Sequence, residues 1–348
     1  MRRTALDFNQ MSHPIKTFDS LPQALRGAVP LGGIGGSEPR AVPLVGVIRN
    51  PRSFRNKGLA PEQAAQAEVI IETTFKRKEL FEVLARFADA GIDFLAIDGG
   101  DGTVRDVLTC GASVFGDDWP PLIVMPKGKT NALAADLGLS PLWDLDRALE
   151  RANAGRFARR RTLVVAEAAD PSARVQGFML GAGVFTRSIS LGQSAHRWGA
   201  FNALAVLVTT FWSLAQAFFA GSGNGWRKKT GIRLTDDLGN PIAGGAEQRY
   251  IFLSSTLQNF PMGLKPFGAI REGLKFVVLD RPERKSLLQV PRIAFGRQPR
   301  DPERLGYHWG VPDSYLMTLE DRFILDGEAF PAGAYRVSQG PELRFVVP

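Results

Sequence analysis

Three glycines bracket an acid in Gly99-Gly100-Asp101-Gly102-Thr103, a pattern that suits a phosphate cradle with a carboxylate inside it. Without a Cβ, Gly99, Gly100 and Gly102 let backbone N–H groups approach an anion closely, and a helix N-terminus behind them favours negative charge. Thr103 can hydrogen-bond a phosphate or cap the helix. Asp101 can direct a metal or accept a proton. An ordinary tight turn needs one glycine. The plain alternative is a β-α turn with Asp101 as a solvated N-cap.

Two further segments end in similar chemistry. The apolar run from Val45 leads into Asn50-Pro51-Arg52-Ser53, a basic, hydroxyl-bearing loop. Leu122 to Met125 leads into Pro126-Lys127-Gly128-Lys129-Thr130-Asn131 and then a helix that Gly138 can end. The elements that must hold these loops are legible too. Ile92 to Ile97 reads as a short buried strand, and Val104, Val107 and Leu108 have the spacing of a helix that starts at Val104. Three strands therefore aim their C-terminal ends at loops rich in phosphate-binding groups, which is where ligands bind in an open α/β sheet. Late in the chain, Asp326-Gly327-Glu328 reads by itself as a β-turn.

Taken together the motifs resemble the diacylglycerol kinase catalytic-domain family, which includes bacterial lipid kinases, sphingosine kinases and ceramide kinases. The resemblance rests on the Asn50-Pro51 strand end, the Gly99 to Thr103 loop, and Pro126 to Ala134 in the place of a P-x-G-T-x-N-x-x-A loop. Gly181-Ala182-Gly183-Val184-Phe185 and Leu325-Asp326-Gly327-Glu328 complete it, in family order and over residues 41 to the end. It implies an α/β N-terminal nucleotide-binding domain of three layers, like that of NAD kinase and phosphofructokinase, and a C-terminal β-sandwich-like domain that holds lipid. The expected division is an extension over 1–40, partly flexible, a nucleotide domain over 41–154 and a lipid domain over 155–348, whose C-terminal end may return to the first domain.

The resemblance further implies an ATP- and Mg²⁺-dependent kinase that phosphorylates the primary hydroxyl of a neutral membrane lipid, diacylglycerol or ceramide. Asn50, Arg52, Ser53, Gly99, Gly100, Gly102, Thr103, Lys129, Asn131 and Glu328 become expected nucleotide contacts. Asp326 becomes the general base, and Asp101 directs Mg²⁺ through water or serves as the base itself. Lys129 stands where the family has Thr, Ala132 where an Asp is common, and Arg271-Glu272-Gly273-Leu274 where D-D-G-x-L is linked to a structural magnesium. Mg²⁺ demands tight octahedral geometry, so the last departure puts that auxiliary site in question. A soluble NAD-kinase-like enzyme and a non-catalytic lipid- or nucleotide-binding regulator are the alternatives.

Composition fits a soluble protein that visits a surface. A net charge of +8 over 348 residues favours anionic partners. Nucleic acid fits poorly, because Arg159-Arg160-Arg161 and Arg227-Lys228-Lys229 are the main basic runs and no nucleic-acid signature accompanies them. A membrane surface with anionic lipid is the expected partner, at the cytoplasmic face; the oligomeric state is left open. The lone Cys110 permits no intrachain disulfide. Trp198 to Trp226 carries no charge and reads as a buried or amphipathic helix that could meet acyl chains, rather than as a span. Short apolar runs after residue 155, among them 161–166, 250–254, 274–279, 322–325 and 343–347, read as antiparallel strands.

Overall fold

The computed structural model describes residues 17–24, 40–60, 64–73, 77–186 and 227–348. The uncharged run 198–226 lies outside them. Strands β1 (Leu44–Arg49), β2 (Glu68–Thr73), β3 (Phe94–Gly99) and β4 (Leu122–Pro126) form a parallel sheet in the order β2-β1-β3-β4. From Val45, Leu95 and Leu122 onward, the last three read as continuous buried runs, as parallel strands covered on both faces must. Helix α1 (Arg77–Ala90) buries Leu80, Val83, Leu84 and Phe87, the i, i+3, i+4, i+7 stripe of a helix with one core face. It packs on α2 (Asp101–Phe115). The short α3 (Ala132–Asp136) and α4 (Leu145–Asn153) lie against β4.

The strand order places a functional crevice. The chain leaves β1 for β2 and then returns to β3 on the other side of β1, so the connections diverge between β1 and β3. Ligands in open α/β sheets bind at such a divergence, beyond the C-terminal strand ends. Asn50 follows β1 and Gly100 follows β3.

The remaining strands are antiparallel. They are β5 (Phe157–Glu167), β6 (Arg174–Gly177), β7 (Met179–Gly183), β8 (Thr230–Thr235), β9 (Gln248–Arg249), β10 (Ile251–Ser255) and β11 (Lys275–Leu279), followed by helices α5 (Arg284–Ala294) and α6 (Pro302–Leu305). Then come β12 (Tyr307–Gly310), β13 (Ser314–Leu319), β14 (Phe323–Leu325), β15 (Glu328–Phe330) and β16 (Gly333–Val346). One layer continues the parallel sheet through β16, β13, β8 and β9, with β5 and β6 joined to β16. Phe345 of β16 pairs with Leu122 of β4 in parallel. The other layer runs β12-β11-β10-β7-β14-β15. Val165, Met317 and Val337 from the first layer meet Leu180, Phe252, Phe276 and Phe323 from the second in one buried core. The fold is thus a parallel α/β unit and an antiparallel sandwich, as the sequence reading expects.

Residues 17–24 lie on the second unit. Thr17 bridges Ala329, Gln23 bridges Ala173, and Phe18 stacks on Phe330 with ring centroids 5.1 Å apart.

Candidate active site

The glycine loop is tighter than its sequence implies. Helix α2 begins at Asp101, three residues before the expected start at Val104, and Gly100 is its N-cap without any side-chain cap bond. Gly102 and Thr103 therefore sit in the first helical turn, where the Thr103 N–H already donates to the Gly100 carbonyl at 2.9 Å and the N–H groups before it precede the intrahelical ladder. A Cβ on Gly100 would stand 2.8 Å from the Gly128 Cα, so the β3-α2 and β4-α3 loops meet backbone to backbone.

A polar lattice fixes the floor beneath. Asn50 Nδ2 donates to Thr103 Oγ1 at 2.9 Å, and Asn50 Oδ1 accepts from the Arg52 N–H at 3.0 Å. Asn56 Nδ2 donates to the Asn50 carbonyl at 3.1 Å and to Asp98 Oδ1 at 2.8 Å. Buried Asp98 in turn pairs with buried Arg49 at 3.3 Å. Satisfied buried networks of this kind rigidify what they support.

Above it lies a cleft of about 180 Å³ lined by Asn50, Ser53, Gly100, Gly102, Thr103, Asp106 and Glu328. Six of these are residues that the sequence singles out; Asp106 is new. Four other expected contacts do not line it. Gly99 is packed under Thr103, whose Cβ would be 2.5 Å from a Cβ placed there. Arg52 is exposed on the neighbouring loop. Asn131 adopts φ 51° and turns back on its own loop, its Oδ1 accepting from Gly128 N at 2.8 Å and its Nδ2 donating to Gly128 O at 3.0 Å. Lys129 is partly buried, and burial together with the nearby Lys57 charge lowers its pKa.

Two carboxylates stand beside this cleft without lining it. Asp101 accepts from the backbone N–H groups of Asn131, Ala132 and Leu133, at the start of α3. Its pKa is raised because burial outweighs those bonds and the Arg105 charge. Asp326 and Gly327 form the two-residue turn between β14 and β15, both with positive φ, 45° and 85°. The turn delivers the Asp326 carboxylate to the N–H groups of Phe178, at 3.0 Å, and Met179, at 2.9 Å. Gly177 makes room for it: a Cβ there would lie 2.4 Å from Asp326 Oδ2. Burial first, and the neighbouring Asp101 charge second, push Asp326 up to about 7. A carboxylate with that value exchanges protons near neutral pH, as a general base requires.

Arg105 organises the other side. Fully buried, it holds Glu328 at 2.5 Å and Asp106 at 3.0 Å, with its guanidinium 5.8 Å from the Phe330 ring centroid and 6.0 Å from that of Phe18. Glu328 is thereby fixed against Gly102, whose added Cβ would be 3.4 Å from Glu328 Oε1. A charged residue among the apolar positions 104, 107 and 108 of an amphipathic helix is the sequence signal that could have found Arg105.

The junction between the two units is also polar. Buried Asp136, the last residue of α3, accepts from Arg160 Nε at 2.7 Å and from the Gln258 and Asn259 N–H groups at 3.1 and 2.6 Å. Close by, the Lys275 ammonium donates to the carbonyls of Arg271 at 2.7 Å and Gly273 at 3.1 Å. Those carbonyls belong to the Arg271 to Leu274 segment, and an ammonium takes them here. Burial pulls Lys275 down to about 8. Among the described residues no group of three His, Cys, Asp or Glu could hold a metal by itself.

Fold and cleft together define a two-unit protein with a polar, glycine-lined cleft at the divergence of a parallel sheet and a near-neutral acid beside it. Residues 45–165 match the diacylglycerol kinase catalytic domain, a stretch that contains the Asn50-Pro51, Gly99 to Thr103 and Pro126 to Ala134 motifs. Three solved structures from Bacillus anthracis str. Sterne are similar in fold. One, provisionally assigned as a diacylglycerol kinase, has a TM-score of 0.63 at 13% identity, covering 89% of this chain and 99% of that one. A second with the same assignment gives 0.62 at 12%, covering 89% and 99%. The third, described as a diacylglycerol kinase, gives 0.57 at 12%, covering 89% and 98%. No curated protein matches the chain.

Proposed function

We propose that this chain is an ATP-dependent lipid kinase that transfers the γ-phosphate to the primary hydroxyl of a neutral two-chain lipid, diacylglycerol or ceramide, at a membrane surface. The observation that carries the reading is the Asp326 carboxylate, poised near pH 7 and held beside the glycine cradle. The match over residues 45–165 supports the kinase class. No helix of the described residues is long and apolar enough to cross a membrane, and the reading places the protein on the bilayer, not through it.

Phosphoryl transfer asks the protein for position and charge neutralisation more than for covalent chemistry. The N–H groups of the first α2 turn and the Asn50, Ser53 and Thr103 side chains receive the triphosphate, while Lys129 and Lys57 add positive charge at the rim. Asp326 takes the proton of the lipid hydroxyl. Arg105 holds Glu328 at the cleft wall. Asp101, bonded to the start of α3, fixes the second phosphate loop against the first.

The acids present fit a Mg²⁺ that arrives with ATP. Asp101 and Asp326 interact and are both shifted toward the neutral form, which a nearby cation would reverse, and they are too few to cage a metal. Mg²⁺ bound mainly by phosphates and water needs only one or two carboxylates. Asp101 would hold it through water, and its contribution when bound is neutralisation of the triphosphate charge.

The test is a competition assay in mixed micelles with labelled ATP and Mg²⁺ against diacylglycerol, ceramide, sphingosine and monoacylglycerol. Labelled phosphate should enter an organic-phase product of a two-chain lipid. Preference for a single-chain lipid would overturn the substrate, and labelling of NAD or a sugar phosphate alone would overturn the lipid reading.

A further inference from the structure

Helix α5 carries an outward stripe that packing does not explain. Its inner face buries Ser286 and Leu287 and lays Val290 and Ile293 on a core cluster. On the opposite side Lys285, Leu288, Arg292 and the C-cap Phe295 follow one another at spacings of three and four, and Arg284 lies four before Leu288, so the five share one face. The three cations are exposed, and Leu288 and Phe295 are exposed at 59% and 54%. Glu283 lies off that stripe, beside Arg281, and Asp301 and Glu303 lie at the start of α6.

Neighbouring segments extend the patch. Arg227 Nη2 donates to the Pro282 carbonyl at 2.8 Å, which sets the run Arg227-Lys228-Lys229 next to the start of α5. At the far end Lys265 N donates to Ala294 O at 2.7 Å, and Met262, 47% exposed, stands on the same loop. That loop continues from Gln258 and Asn259, which are bonded to Asp136 of α3. The patch thus runs from the flank of the phosphate loops along the second unit.

We infer that the outer face of α5 docks on an anionic lipid bilayer. Bulky apolar side chains centred among cations, on a helix lying along the surface, match the interfacial helices that sink apolar groups between acidic headgroups. A duplex nucleic acid would use the cations, but its phosphate backbone offers no apolar surface to cover Leu288 and Phe295. The inference rests on the lipid-kinase reading only for its purpose, that of bringing the cleft to a substrate in the membrane.

The experiment is cosedimentation of the full chain with vesicles of phosphatidylcholine alone or with about a third phosphatidylglycerol. The parent should bind the anionic vesicles and not the neutral ones. Each cation near such a surface contributes roughly fivefold, so Arg284→Gln, Lys285→Gln and Arg292→Gln together should weaken binding about 100-fold. Leu288→Ser with Phe295→Ser should weaken it while keeping the preference for acidic lipid. Both variants should retain their melting temperature and the parent's activity on lipid in detergent micelles.

Parental binding by the triple variant would overturn the inference and move docking elsewhere, for example to residues 198–226. So would an absence of vesicle binding by the parent, tighter α5-dependent binding to DNA than to vesicles, or a dimer that the triple variant dissolves. Anionic-vesicle binding through α5 by a protein that phosphorylates no lipid would sustain the docking and reject the kinase reading.

Discussion

The carboxylate of Asp326 occupies the space that a side chain at Gly177 would need, with Oδ2 2.4 Å from the position of a Cβ there. Leu325 Cγ would be 2.9 Å from the same atom, so the hairpin cannot yield by rotating one side chain. Gly177→Ala should therefore displace Asp326 from the Phe178 and Met179 N–H groups. Since a positioned general base is typically worth about 10²-fold or more, kcat should fall by that order, with KM for ATP nearly unchanged. A steady-state comparison, with circular dichroism to confirm folding, checks it.

The raised pKa of Asp326 gives activity and stability opposite pH dependences. A base must be ionised, so kcat/KM for Mg-ATP, which reports the enzyme before the metal arrives, should rise with pH through a midpoint near 7. In the folded protein the proton is held more tightly than in the unfolded chain, so the group's stabilising contribution is complete below the unfolded value of 3.8 and is lost as pH rises through about 7. Asp326→Asn should thus abolish most turnover yet raise the melting temperature relative to the parent at pH 8. The gain should vanish near pH 4. A parent profile flat between pH 5 and 9 would remove Asp326 as the base.

Arg105 and Glu328 make a pair that is costly to break from one side. Arg105→Met leaves Glu328 and Asp106 without their shared cation, and losses at buried pairs run to about 3–5 kcal/mol. Urea unfolding should show destabilisation of at least about 3 kcal/mol, with Glu328→Gln costing less. The double variant should be less destabilised than the sum of the two, by about 1–2 kcal/mol.

Burial first, and the nearby Lys57 charge second, lower the Lys129 pKa, and a bound triphosphate would relieve that repulsion. Lys129→Ala should raise KM for ATP roughly fivefold and leave KM for lipid unaltered, consistent with about 1 kcal/mol for a partly exposed charge. Raising ionic strength should narrow the difference between the variant and the parent. Lys129→Thr should retain more activity than Lys129→Ala.

What the sequence makes legible here is local. The apolar runs at 45–49, 92–97 and 122–126 and the turn residues after them place the phosphate loops, because strand, turn and helix signals lie within a few residues of one another. The start of α2 at Asp101 is not legible in the sequence, because Gly100 caps it without a side chain and leaves no capping signature to read. The partners of the chemistry are a different matter. Asp326 meets Phe178 across a separation of 148 residues and Arg105 meets Leu325 across 220, and no spacing rule connects such positions. Gly177, Asp136 and Phe18 owe their importance entirely to what folding brings against them. Asn131 shows the converse: its polar side chain looked like a ligand contact and serves its own turn.

The pairing of β16 with β4 also governs the order in which the molecule can be assembled on the ribosome. Strands β1 to β4 and their helices emerge early, but the edge of β4 lacks its neighbour until residues 333–346 have been made. For most of synthesis the nascent parallel-sheet half therefore presents an unpaired strand edge, the kind of surface on which chains join one another. A fragment cut near residue 165 would carry that edge permanently, so the stretch that matches the catalytic domain is not a unit that can be lifted out and expected to stay in solution alone.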